Sequence, residues 1–213
     1  MNDKYAPVEQ SDTPEATELS AIEFESPGRF AVHNPEPVAA DTARWEPAPF
    51  ILGQHEHLER FSQPQEARAH VLALLLQAQR NLCLYSDDLE PWLYHHSSVQ
   101  QACTRFLLSS PRARLRILLR DPTRAVKEGH RLLALSRRLS SNLHIRKLNP
   151  DHASDELAFL IADDRGLFMR PELDQQSGYA LYNDPARVRQ RQARFDQAWD
   201  TSITDPDLRS FLL

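Results

Sequence analysis

The chain has 213 residues, 41% of them hydrophobic and 26% charged, with a formal net charge of −5. That size and balance fit one ordinary soluble domain plus an extension, and two cysteines in apolar segments, Cys83 and Cys103, favour a reduced protein with packing cysteines over a disulfide protein. No stretch approaches 18 consecutive apolar residues and the N-terminus has no apolar run of the kind a secretory signal needs, so a cytoplasmic protein without a membrane span is expected.

Charge is distributed unevenly. Residues 1–60 carry 12 acidic and 4 basic side chains, whereas 111–150 carry 11 basic ones against Asp121 and Glu128 alone. The basic residues are 22 Arg and 3 Lys, a bias consistent with a GC-rich bacterial genome. The first 48 residues are rich in Pro, Glu, Ser and Thr and lack a sustained apolar period. Such a segment buries too little surface to offset the entropy of ordering, which predicts a largely disordered arm over 1–48 and a domain over 49–213. Residues 21–24, 29–32 and 50–52 are short strand candidates, and no internal repeat is present.

Regular patterning begins near residue 62. Ser62-Gln-Pro-Gln65 predicts a capped helix start, with Ser62 as N-cap, and Ala67, Val71, Leu74, Leu75 and Ala78 continue an apolar face at helical spacing. Asn81–Ser86 is a short apolar run ending in Asp87-Asp88, a strand and a polar turn. Ser98–Leu108 is helical, with Val99, Ala102, Cys103, Phe106 and Leu107 on one face. Leu115–Arg120 is the next strand, closed by Asp121-Pro122. Ala125–Leu139 reads as a third helix and Leu143–Leu148 as a strand. A hairpin follows, Leu157–Ala162 and Leu167–Arg170, with Gly166 suited to a left-handed turn position. Asp184-Pro185 opens the last helix through Val188, Ala193, Phe195 and Trp199, Asp as N-cap and Pro at the first helical position. Strands alternating with helices, then a hairpin, predict an α/β sandwich with a mixed, largely parallel sheet flanked by helices.

This order resembles one repeat of the phospholipase D superfamily over roughly 62–203. Leu115-Arg-Ile-Leu-Leu-Arg-Asp121 is similar to the strand before that family's long helix. Tyr182-Asn183-Asp184, with Phe195 and Trp199 beyond it, resembles its N-x-E segment and terminal F-x-x-x-W helix. Asp155-Glu-Leu-Ala-Phe-Leu-Ile-Ala-Asp-Asp-Arg-Gly166 resembles the strand and turn that carry H-x-K-x-x-x-x-D. With Asp163 as the closing Asp, the His position holds Glu156 and the Lys position holds Ala158; with Asp164, they hold Leu157 and Phe159. In active members the His attacks phosphorus, the Lys stabilises the phosphoryl oxygens and the Asp orients the His. The resemblance therefore implies a phospholipase D-like domain without catalytic residues, which homodimerises or docks on a related domain. The chain also resembles an uncharacterised bacterial family sometimes associated with GNAT-type acetyltransferases, which implies an acetyltransferase as a further candidate partner. An acetyl-CoA loop of the form (R/Q)-x-x-G-x-(G/A) is absent from the five glycines, 28, 53, 129, 166 and 178.

In open sheets ligands gather at the carboxyl ends of parallel strands. Asp87, Arg120, Asp121 and Arg124 lie there, with His152 on a neighbouring loop, and together they would form a polar pocket; Asp87 and Asp121 equally suit turn and cap roles. The second candidate is an Arg-rich face. Arg112, Arg114, Arg116 and Arg120 share a strand face, and Arg124, Lys127, Arg131 and Arg138 form one stripe of the third helix, a surface for nucleic acid or another phosphoanion. A solvated basic face is the plain alternative. His55, His57, His95 and His96 lack the spacing of a metal set, and no cofactor or metal is expected.

Overall fold

The structure, a computed structural model, describes residues 44–151 and 157–209. The arm to residue 43, with both of its strand candidates, lies outside the described residues, as do His152, Asp155 and Glu156.

Among the described residues, seven strands, β1 (Glu59–Phe61), β2 (Asn81–Ser86), β3 (Arg114–Leu119), β4 (Leu143–Lys147), β5 (Ala158–Ala162), β6 (Gly166–Arg170) and β7 (Gly178–Leu181), form one sheet in the order β1-β7-β6-β5-β2-β3-β4. The helices are α1 (Pro64–Gln77), α2 (Pro91–Tyr94), α3 (Ser97–Ser109), α4 (Thr123–Lys127), α5 (Arg131–Arg138), α6 (Pro185–Asp200) and α7 (Pro206–Arg209). The sheet is mixed, but its balance differs from the expected one. Only β2–β3 and β3–β4 are parallel; β2–β5, β5–β6, β6–β7 and β7–β1 are antiparallel. Helical crossovers set the parallel pairs, and the short connections after β5 allow only antiparallel return.

Side-chain alternation along the strands builds two cores. Leu82 and Leu84 of β2, Leu115, Ile117 and Leu119 of β3 and Phe168 of β6 face α1, α3 and α5, meeting Leu74, Phe106 and Leu132. The opposite parity, with Cys83, Tyr85, Leu118, Phe159, Leu167 and Met169, meets Val188, Phe195 and Trp199 of α6. Phe195 stacks on Trp199 with ring centroids 5.6 Å apart, and Tyr85 on Phe159 at 5.2 Å. Both cysteines are free and buried; burial raises the Cys83 thiol pKa and pushes that of Cys103 up to about 12, so neither is a reactive thiolate. Ahead of β1, Trp45 stacks on His96 at 4.1 Å and the Ala48 amide donates to the Ala69 carbonyl at 3.0 Å.

Local chemistry corrects several sequence expectations. The α1 N-cap is Gln63 rather than Ser62, with Pro64 at the first position and Glu66 accepting from both the Ser62 and Gln63 amides. Residues 50–52 form no strand. The third helix is two helices, α4 and α5, broken where Gly129 adopts φ +62°, so the predicted Arg124–Arg138 stripe is not continuous. In the β5–β6 turn the left-handed residue is Asp163, φ +54°, and not Gly166. Gly166 instead serves close packing, because a Cβ there would sit 2.7 Å from Leu52 Cδ1 and 2.9 Å from Leu74 Cδ2. Asp184 caps α6 as expected, accepting from the Arg187 amide at 2.9 Å.

Candidate functional site

Parallel pairing of β2 with β3 brings their carboxyl ends together, Ser86 opposite Leu119. The chain then knits the two exits: the Arg120 amide donates to the Ser86 and Asp87 carbonyls, and the Asp121 amide to the Asp87 carbonyl at 2.9 Å. Asp87, Arg120, Asp121 and Arg124 therefore do collect at one end. Their side chains, however, are spent on one another and on the backbone. Arg120 Nε lies 3.6 Å from Asp87 Oδ1. The Thr123 hydroxyl and amide hold the Asp121 carboxyl below its usual range, Thr123 N donating to Asp121 Oδ1 at 3.0 Å. Arg124 spans Asp88 at 3.1 Å and Glu128 at 3.0 Å.

The other predicted binding residues lie elsewhere. Arg131, on α5, reaches Gln100 Oε1 at 3.5 Å. Arg114 and Arg116 sit at the start of β3, about 20 Å and about 13 Å from Arg120 at the rise of a strand. Arg114 Nη1 donates to the Pro111 and Ala113 carbonyls. Arg116 is clamped by α6: its Nη1 is 2.8 Å from Asp196 Oδ1, its Nη2 donates to Cys83 Sγ, and its guanidinium lies 5.1 Å from the Phe195 centroid. Next to it on β4, Arg146 lies 4.7 Å from the Trp199 centroid, and His144 is Arg116's register partner. Burial first, then Arg146 and Arg114, lowers the His144 pKa from its ordinary value.

Sequence reasoning missed the most buried polar pair of this strand end. Arg170, the last residue of β6, is the register partner of Ala158, the position that the Asp163 alignment gives to the family's Lys. Its Nη1 donates to the Glu90 carboxylate, and the two side chains are 2% and 8% exposed. Nε and Nη2 hold the Gln175 and Leu173 carbonyls, and the guanidinium lies 5.1 Å from the Trp92 centroid. Burial draws the Arg170 pKa down from its ordinary value while Asp88 and Asp174 oppose the change. Glu90 is held from its own side by Ser86 Oγ at 3.4 Å, on a turn whose Leu89 and Glu90 both take positive φ. The one sequence signal was a lone Arg ending an apolar strand.

Asp163 and Asp164, the two alternative closing positions, have different surroundings. Its carboxylate accepts from three backbone amides, Gln79 at 2.9 Å, Arg80 at 2.8 Å and Asn81 at 3.0 Å, fastening the β5–β6 turn to the end of α1. Asp164 is exposed and pairs only with its neighbour Arg165. Among the described residues, no group of three His, Cys, Asp or Glu side chains is placed to hold a metal ion, and no helix is long and apolar enough to cross a membrane.

A mixed seven-stranded sheet flanked by helices is a phospholipase D-like α/β fold. NucT from Helicobacter pylori superposes with a TM-score of 0.51 at 9% identity, over 70% of this chain and 99% of NucT. TrmBL2, an archaeal chromatin protein whose structure shows a novel mode of DNA binding, superposes with a TM-score of 0.52 at 14% identity, over 69% of this chain; the match spans 53% of TrmBL2. Nuc from Salmonella typhimurium, a phospholipase D family member, gives 0.48 at 12% identity, over 69% of this chain and 95% of Nuc. At these identities the likeness is one of fold alone. Residues 63–211 match the family described as a domain of unknown function (DUF7931), and the chain belongs to that family. No curated protein matches its sequence.

Proposed function

We propose that the domain is a non-catalytic phospholipase D-like module that binds a phosphate-rich polyanion, in the first instance nucleic acid, on the margin formed by β3, α4, α5 and β4. Loss of the motif's chemistry is supported by the strand end itself. Ala158 has no charge to neutralise a phosphoryl group, and its register partner, Arg170, is already saturated by Glu90 and two carbonyls. Covalent phosphoryl transfer needs a nucleophile in line with its acid-base partner, and Glu156 at the His position is a carboxylate that repels the substrate.

The observation that carries the binding reading is the surplus of cations in 111–150. Among the described residues, Arg112, Lys127, Arg137 and Arg138 of this region make no ion pair, and Arg112, Lys127 and Arg138 are exposed. These are not the residues that the sequence singled out; Arg114, Arg116, Arg120, Arg124 and Arg131 are anchored within the fold. A runner-up enzyme built on Asp87, Asp121 and His152 is less well supported, since Asp87 and Asp121 serve the β2–β3 exit. A second copy of the chain, or an acetyltransferase, is the protein partner that the resemblance implies, and light scattering of the purified protein with identification of copurified chains tests both.

The test of nucleic-acid binding is fluorescence anisotropy with a labelled single strand and a labelled duplex across a salt series. Binding weakens with salt, and the double variant Arg112→Glu/Arg138→Glu loses about tenfold or more in affinity and about 2 in salt slope. Absence of binding at low salt, or binding that the double variant leaves unchanged, removes this reading.

A further inference from the structure

A second surface lies at the opposite edge of the sheet. Between α6 and the β1–β7 margin runs a cleft of about 820 Å³, within the size range of small-molecule sites. Its floor includes Leu167, and its walls carry Arg60, Tyr179, Gln190 and Arg191. Arg60 and Tyr179 are register partners on β1 and β7, so their side chains stand side by side on one face. Arg187 and Arg191 line the facing wall from α6, one helical turn apart.

Here, among the described residues, the Arg60 guanidinium, the Tyr179 hydroxyl and the Gln190 amide make no side-chain hydrogen bond or ion pair. The carboxylates of the cleft do not serve them. Glu66 is committed to the Ser62 and Gln63 amides, whose hydrogen bonds hold its pKa below the ordinary value, and Glu172 accepts from Gln175. Arg187 leans on Asp184, 3.5 Å away on its own helix. The cleft thus combines an apolar floor, a phenol, a free amide and an uncompensated guanidinium.

We propose that this cleft binds a small organic oxyanion, a molecule that pairs a carboxylate or phosphate group with a flat apolar part. Arg60 receives the oxyanion, with Arg191 adding positive charge from α6. The Tyr179 hydroxyl and the Gln190 amide donate to it or to its neighbouring polar atoms, and the apolar part rests on the Leu167 floor. The site is separate from the polyanion margin: β1 and β4 are opposite edges of the sheet, about 29 Å apart at the usual strand spacing.

The test is calorimetry and ligand-detected NMR on the full chain, with phenyl phosphate, benzoate and the neutral benzyl alcohol as probes. At least one anion binds better than the alcohol, Arg60→Ala weakens it about tenfold or more, and Tyr179→Phe weakens it less. Phenyl phosphate ahead of benzoate identifies a phosphorylated ligand, and the reverse order a carboxylate. Arg60 is exposed, so its replacement leaves the fold intact, which a thermal melt checks. The proposal falls if neither anion binds, if the alcohol binds as well as the anions, or if Arg60→Ala binds like the wild type. Retention of anion binding in Arg112→Glu/Arg138→Glu keeps this outcome independent of the polyanion reading.

Discussion

Breaking the Glu90–Arg170 pair tests whether the strand end is closed by internal charge. Both side chains are almost fully buried, so removing one partner leaves the other charge without compensation, at a cost of about 3–5 kcal/mol. Glu90→Gln keeps the shape, the Ser86 contact and a weaker acceptor for Arg170, so it falls at the lower end, about 3 kcal/mol. Arg170→Met is worse, about 4–5 kcal/mol, because it strands the Glu90 carboxylate and also releases the Leu173 and Gln175 carbonyls. In Glu90→Leu/Arg170→Met neither charge is stranded, and the double variant recovers about 2 kcal/mol or more relative to the sum of the singles. Urea denaturation followed by tryptophan fluorescence, with Trp92 beside Arg170, measures all the free energies. Single losses under about 1 kcal/mol, or strictly additive ones, would show that the pair is not the closure described and that the strand end is open to a ligand.

Two further outcomes follow from neighbouring elements. Asp163→Ala costs about 3 kcal/mol, from three lost charge-assisted amide contacts and a left-handed φ that Ala tolerates poorly, whereas Asp163→Asn, keeping an oxygen and the φ, costs about 1 kcal/mol in the same denaturation assay. Equal effects of the two would mean that the carboxylate is not the fastener. His130 caps α5 by accepting from the Leu132 amide, and burial, followed by the adjacent His95, depresses its pKa to about 3. A depressed histidine favours the fold above the ordinary value near 6.5, and that contribution fades as pH falls from there towards about 3. His130→Asn, which retains a capping oxygen, flattens the stability profile across this window; an unchanged profile would place the acid sensitivity elsewhere.

Much of the fold was legible because long periodic segments carry it. The apolar runs of β2, β3, β5 and β6 and the faces of α1, α3 and α6 all appear in the sequence at the right periods. β1 and β7 were not legible: three and four residues long, next to prolines, serines and glycine, they become strands only by pairing with each other and with β6. The site was less readable still. Alternation marks Arg116 as one of a row of strand arginines, yet nothing local announces that α6 supplies Asp196 and Phe195 to it. Glu90 and Arg170 are 80 residues apart, and no pattern in either neighbourhood marks a partner. Short motifs reveal the elements, whereas satisfied and unsatisfied charges emerge only once the sheet is assembled.

The β1–β7 ladder also orders events in time. Arg60 and Tyr179 stand 119 positions apart in the chain, whereas β2, β3 and β4 succeed one another through short crossovers and β5, β6 and β7 through tight returns. Loop-closure entropy opposes a pairing between such distant segments, and a chain emerging from the ribosome holds β1 unmatched until β7 has been made. The proposed oxyanion cleft, which draws on β1, β7 and α6, stays incomplete until both ends of the domain have been made, and an occupant there would act as a clasp on the finished molecule.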